Sequence, residues 1–230
     1  MQADIMSMLI QQWQSVRQQC ASLAAANGHA VTLIAGRKTF PAADIRTLYQ
    51  AGQRDFGENY IQEWQQKCTE LADLDDLAWH IIGQIQANKS RSVAERAHWV
   101  HTVDRAKIAR RLSEQRPDTM PPLNVCIEIN IAAEANKHGI AADELLPLAQ
   151  YIATLPRLRL RGLMCVAKAD STGAELTQQF TQMQQLLATL QAAGLAVDTL
   201  SMGMSADMDT AIACGATQVR VGSAIFGRRQ

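Results

Sequence analysis

The sequence has no excess of either charge. Lysine plus arginine and aspartate plus glutamate number 22 each, so no bulk positive field draws the chain to nucleic acid or to an anionic membrane surface. There is no C-x-x-C pair. The five cysteines (Cys20, Cys68, Cys126, Cys165 and Cys214) are odd in number and widely scattered. That excludes an obvious disulfide framework or zinc knuckle and suits a reducing compartment, the cytoplasm. No apolar run approaches the roughly 20 residues of a bilayer-spanning helix. The opening MQADIMSML carries Asp4 and no basic cluster ahead of an apolar stretch, so it does not read as a secretory signal. Linkers, low-complexity tracts and internal sequence repeats are also missing. The 230 residues are 47% hydrophobic, enough to bury a real core, and one domain over residues 1–230 is the simplest reading.

What is present is an alternation of strand-like and helix-like segments. Residues 3–27 read as a helix, because Ile5, Leu9, Trp13, Val16, Cys20 and Leu23 recur every three or four positions and Asn27-Gly28 stops the pattern. Short apolar runs follow at 31–38, 54–59, 79–83, 99–103, 124–130, 160–167, 199–203 and 218–224. Most lack clean alternation, as strands covered on both faces do. Helical patterns lie between them, near 42–52, 58–72, 88–96, 105–116, 143–154, 174–193 and 206–214. Pro147 fits the fifth of these if that helix begins at Asp143 or later. Eight strands alternating with helices, and one extra helix in front, predict a single-domain (β/α)8 TIM barrel. A doubly wound open sheet is the alternative.

In a barrel, function gathers at the C-terminal ends of the strands, and phosphate groups bind at the loops after strands seven and eight. Two Gly/Ser steps fall there: SMGMS (201–205) and RVGS (220–223). Glycine admits close approach of a phosphate to the backbone, and helix-start N–H groups point at it. Lys38 falls at the end of the first strand. An amine beside a phosphate site suits attack on an aldehyde when burial or a neighbouring cation lowers its pKa. Arg37 has the opposite strand parity, so only one of the two can face inward.

Five stretches carry a family resemblance: RKTFPAADIRTLYQAGQRDFGENYIQE, WHIIGQIQANK, VHTVDRAKIARRL, LRLRGLMCVA and TLSMGMSADMDTAIACGATQVRVGSAIFGRR. Together, and in collinear order, they resemble the pyridoxal phosphate homeostasis proteins (the YggS/PROSC type). The resemblance implies a single-domain barrel like the N-terminal domain of alanine racemase, of PLP fold type III. It implies a cytoplasmic protein that binds pyridoxal 5′-phosphate (PLP), serves vitamin B6 homeostasis and has no established catalysis. Lys38 matches the lysine that holds the aldehyde as a Schiff base. Asn59 of GEN matches a residue lining the cofactor. Ser201, Ser205, Gly222 and Ser223 match the phosphate-binding turns, and Arg220 the arginine facing the pyridine nitrogen. The resemblance also favours a monomer, with apo PLP-dependent enzymes as recipients. Lys137 in EANKHGI matches a lysine-containing family segment and is a candidate secondary PLP contact. One departure stands out. The family's V-S-K-T-K-P reads Gly36-Arg37-Lys38-Thr39-Phe40-Pro41 here, so a role tied to the second lysine does not carry over.

Blander readings compete at several of these positions. A single serine is usually a turn or cap residue. Arg220 could pair with a carboxylate such as Glu128. His98 and His101 stand three apart in a strand and face opposite sides, which argues against a shared metal ion. His80 reads as a core histidine. The acidic DLDD at 73–76 reads as a solvated loop. Two other functions remain open: a PLP-dependent amino-acid racemase, which in this fold needs a second acid/base from another domain, and a Schiff-base aldolase, whose lysine lies on a later strand.

Overall fold

The computed structural model describes residues 2–36, 39–135 and 137–227. Eight parallel strands form the core: β1 (Thr32–Gly36), β2 (Asp55–Glu58), β3 (Ala78–Ile81), β4 (Trp99–Val103), β5 (Leu123–Glu128), β6 (Leu158–Met164), β7 (Thr199–Ser201) and β8 (Gln218–Val221). They pair in chain order, and β8 returns to β1 with Leu33 opposite Val219 and Ala35 opposite Val221. That last pairing closes the barrel and excludes the open sheet.

The helices are α1 (Gln2–Asn27), α2 (Ala42–Gln50), α3 (Ile61–Glu70), α4 (Ser90–Arg96), α5 (Ala106–Gln115), α6 (Leu145–Ala153), α7 (Gly173–Ala192), α8 (Met208–Ala213) and α9 (Ser223–Phe226). Single 3-10 turns precede α4 and α6. Pro147 falls in the first turn of α6, where its missing N–H costs nothing. The expected eighth strand is too long. It stops at Val221, because Gly222 leaves the extended region (φ −120°, ψ −70°) and starts α9.

Helix α1 buries the stripe read from its sequence, with Leu9, Trp13, Val16 and Cys20 all buried. It packs against α2, α8 and α9. Each large apolar side chain so covered is worth about 2 kcal/mol. The indole of Trp13 also donates to Gln53 Oε1 at 2.9 Å, and Gln53 Nε2 donates to the carbonyls of Leu33 (2.8 Å) and Asp55 (2.7 Å). This buried amide ties the extra helix to the entry ends of β1 and β2. The acids of the DLDD loop are exposed as expected, but two of the three are paired. Asp73 meets Arg46 at 2.6 Å and Asp76 meets Arg54 at 2.7 Å. The five cysteines are free thiols, and no helix among the described residues is long and apolar enough to cross a membrane.

Glycines bring the first three strands together at their exit ends. A Cβ on Gly36 would lie 2.8 Å from the Gly57 carbonyl oxygen, and one on Gly83 only 2.0 Å from that of Asn59. Gly83 is thus a backbone contact that sets where Asn59 sits. Gly28 is different: its φ is +71° and nothing lies within 4 Å of a Cβ there. Gly28→Ala is expected to cost about 1 kcal/mol of backbone strain. Gly83→Ala must displace main chain and is expected to cost about 3 kcal/mol or more. Urea midpoints of the two variants check this, and equal costs would show that the Gly83–Asn59 contact relaxes freely.

Candidate functional site

The exit ends of the strands form the mouth of the barrel. Arg37 and Lys38, which follow β1, lie outside the described residues. Just beyond them, Thr39 has φ +62°, a left-handed conformation that a β-branched residue adopts only when its surroundings impose it. Phe40 is buried and stacks on Phe226 of α9, with ring centroids 4.6 Å apart. Lys67 Nζ lies 4.0 Å from the centre of the Phe40 ring and 2.6 Å from Glu58 Oε1. The segment after Lys38 is therefore anchored on both α3 and α9.

Asn59 follows β2 directly, and its backbone carbonyl lies over Gly83. The Gly83 carbonyl accepts from Thr102 Oγ1 at 2.7 Å, which links the ends of β3 and β4. Beside Asn59 opens a cavity of about 550 Å³, lined also by Tyr60, Ile61, Gln62, Gln84 and Lys89.

At the other side of the mouth the two Gly/Ser steps meet. Gly203 has φ +99°, and a Cβ there would lie 2.6 Å from the Ala211 side chain, so α8 can approach only a glycine. Ser205 Oγ accepts the backbone N–H of Ala224 at 3.3 Å, which joins the turn after β7 to the turn after β8. The N–H groups of Gly222 and Ser223 meet no protein acceptor among the described residues. Ser205, Gly222 and Ser223 thus lie together on the two turns.

Ser201 and Arg220 sit deeper. Both are buried, and Arg220 Nη1 donates to Ser201 Oγ at 2.6 Å while Nη2 donates to the Cys165 carbonyl at 2.8 Å. Burial lowers the guanidinium pKa, and Glu128 and Asp207 counter it from a distance. Arg220 therefore makes its close contacts with a hydroxyl and a carbonyl. Glu128, weighed as a direct partner, is instead engaged by Gln84, whose Nε2 donates to Oε2 at 2.5 Å.

Three residues not proposed for the site complete its floor: Asp55, His80 and His101. His80 is fully buried, with Nε2 at 2.9 Å from Asp55 Oδ1 and Nδ1 at 2.9 Å from His101 Nε2. His101 Nδ1 lies 2.8 Å from Ser201 Oγ. His80 is the satisfied core histidine the sequence suggested. His98 turns away from this group and accepts the backbone N–H of Trp79 at 3.0 Å. Lys137 lies in the segment that folds over the end of β5, where Ile129 bridges Ile140, and its Nζ meets Glu134 Oε2 at 2.5 Å. Strand parity could have pointed to Asp55, His80 and His101. Nothing in the sequence says that β4 and β7 face each other across the barrel.

Residues 9–230 match the family described as alanine racemase, N-terminal domain. A pyridoxal phosphate homeostasis protein of Pseudomonas aeruginosa is 53% identical over 199 residues, which is 86% of this chain and 85% of that protein. The chain belongs to the pyridoxal phosphate homeostasis protein family. The relative of that name in Escherichia coli K12 is 50% identical over 86% of each chain. Among solved structures, PipY of Synechococcus elongatus with PLP bound is 37% identical. It superposes with a TM-score of 0.85 over 95% of this chain and 100% of that one. The alanine racemase of Corynebacterium glutamicum, 17% identical, shares the fold over 96% of this chain and 60% of that one, with a TM-score of 0.71.

In this family member the mouth also carries a titratable carboxyl. Burial, with Asp104 nearby, pushes Glu128 from its ordinary 4.5 up to about 7, against the pull of Gln84 and Arg220. Between those values the folded state holds a proton that the unfolded chain releases. Stability from this group is full below 4.5 and is lost as pH rises through about 7. Glu128→Gln is expected to remove this residue's share of the slope, at most about 3 kcal/mol across the window, and to leave the share of Glu58, which burial also raises from 4.5 to about 7. Urea unfolding at a series of pH values measures it, and a variant with the parent's slope would place the titration elsewhere.

Proposed function

We propose that this chain binds pyridoxal 5′-phosphate at the mouth of the barrel and holds it for other proteins, without turning over a substrate. Family membership and the PLP-bound relative support the ligand. The observation that carries the reading for this chain is the pairing of the two Gly/Ser turns beside a buried arginine. The turns offer N–H groups without protein acceptors among the described residues, which would hold a phosphate, and the buried arginine would face the ring. These residues fit the cofactor.

When bound, PLP supplies a reactive aldehyde. Lys38 Nζ is the group assigned to hold it. Ser205, Gly222 and Ser223 hold the phosphate through backbone N–H and hydroxyl donors, and Asn59 lines the ring on the β2 side. Arg220 presents a fixed positive charge to the pyridine nitrogen, which disfavours a proton there. An unprotonated ring withdraws electrons weakly, and this limits carbanion chemistry. Ser201 acts through Arg220, since its oxygen accepts the guanidinium hydrogen. On this reading the compartment is the cytoplasm, the protein works as a monomer, and the recipients are apo PLP-dependent enzymes.

The test is a visible absorption spectrum of the purified protein with added PLP. A band is expected, and borohydride reduction followed by peptide mapping is expected to place the label on Lys38. Lys38→Ala should lose both. A label scattered over surface lysines would defeat the assignment.

The racemase reading makes a separate claim. The carrier reading expects no PLP-dependent interconversion of D- and L-amino acids above the rate of free PLP. Turnover that disappears in Lys38→Ala would replace the carrier with an enzyme.

A further inference from the structure

A continuous line of hydrogen bonds crosses the barrel from its entry end to its mouth. It begins at Asp55, the first residue of β2, whose side chain keeps 31% of its exposure. It passes through His80 on β3 and His101 on β4, crosses to Ser201 on β7, and ends at Arg220 on β8. The four distances are 2.9, 2.9, 2.8 and 2.6 Å. Because β4 and β7 are not neighbours, the His101–Ser201 contact lies inside the barrel. Trp99 walls it, stacked on His80 at 5.7 Å and tilted against His101 at 5.9 Å.

The direction of this line is fixed from both ends. Arginine can only donate, and a carboxylate can only accept. Arg220 therefore donates to Ser201 Oγ, and the Ser201 hydroxyl donates onward to His101 Nδ1. His101 then carries its hydrogen on Nε2 and gives it to His80 Nδ1. His80 in turn donates from Nε2 to Asp55. Every donor meets one acceptor only if both rings are neutral Nε2–H tautomers. Burial first, and the Arg220 charge with it, disfavours a proton on His101, and a proton on His80 would disfavour it further.

We infer that Asp55, His80 and His101 are positioning residues that set the Ser201 hydroxyl and, through it, hold the Arg220 guanidinium toward the cofactor ring. The orienting function rests on the proposed PLP site. The hydrogen-bond line does not. Without an acceptor at position 55, His80 Nε2–H is stranded in the interior, and the rings gain by turning to Nδ1–H. Ser201 would then receive hydrogens from both His101 and Arg220, and its own hydroxyl would have no acceptor. The serine's hold on Arg220 would loosen.

Long-range 15N NMR of the imidazoles reads the tautomers directly on protein without PLP. Both His80 and His101 are expected to show a pyrrole-like Nε2 and a pyridine-like Nδ1. An Nδ1–H or doubly protonated pattern at either ring overturns the inference without any variant. Asp55→Ala is expected to change the His101 pattern and to weaken PLP binding roughly three- to tenfold, the worth of one such hydrogen bond. Asp55→Asn keeps an amide oxygen as acceptor and should restore both. An unchanged His101 pattern in Asp55→Ala would also overturn the inference. A native tautomer pattern in a protein that does not bind PLP would remove the proposed cofactor and leave the line as a fold-specifying network.

Discussion

The barrel is organised around a charge that it has taken out of water. Arg220 is buried, and desolvating a guanidinium costs several kcal/mol unless its hydrogens find acceptors. No carboxylate bonds to it among the described residues. A hydroxyl and a carbonyl do so, and the hydroxyl is oriented by two histidines that end on an aspartate. The positive end lies at the mouth and the negative end at the opposite face. A fully satisfied chain of this kind has one arrangement of donors, and it rigidifies what it holds. Interior positions of a barrel this size are more commonly filled by branched apolar side chains. Here a polar line runs through them.

That line constrains the strands. The bonds join β2 to β3, β3 to β4, β4 to β7 and β7 to β8, so a register slip of one residue in any of them would turn a member outward. The apolar residues alternate with it. Ile81, Val100, Val219 and Val221 are fully buried and face the surrounding helices. The same strands therefore supply an apolar outer surface for the helices and a polar interior. At the entry end, Gln53 and Trp13 bind the extra helix to β1 and β2. The exit end is left to glycine contacts and turns. Rigidity is concentrated below the mouth, and the mouth is shaped by backbone rather than by bulky side chains.

The alternation of periods was enough to read eight strands, their parallel order and the leading helix. Strand ends were less legible, since an apolar run does not show where a barrel stave stops. Ser223 and Ala224 were read as the end of the last strand and belong to α9 instead. The turn residues Ser205, Gly222 and Ser223 were legible because glycine and serine at strand ends have local reasons. Arg220 was found by motif, but its partners were not. A contact between residues 101 and 201 leaves no local signature in one sequence. Phe40 shows the same limit from the other side. As a departure from the family pattern it reads as a lost lysine, yet its ring packs on Phe226 and under the Lys67 ammonium. A cation is present beside this strand end after all, supplied by α3 and already paired with Glu58.

A carrier and a catalyst ask different things of the same mouth. A catalyst gains from a ring that withdraws electrons strongly and from an acid or base poised over the reacting carbon. A carrier gains from a ring that does neither, because a reactive aldehyde held for others must not be consumed. On the proposed reading, Arg220 meets the second requirement. The line beneath it keeps the charge in place, and the two histidines stand behind the serine, away from the mouth. Among the described residues, Glu58 and Glu128 are carboxyls here that burial brings near neutral pH, and each is engaged, by Lys67 and by Gln84. Holding rather than turnover would then be favoured by the hydrogen bonds that fix the protons around Arg220.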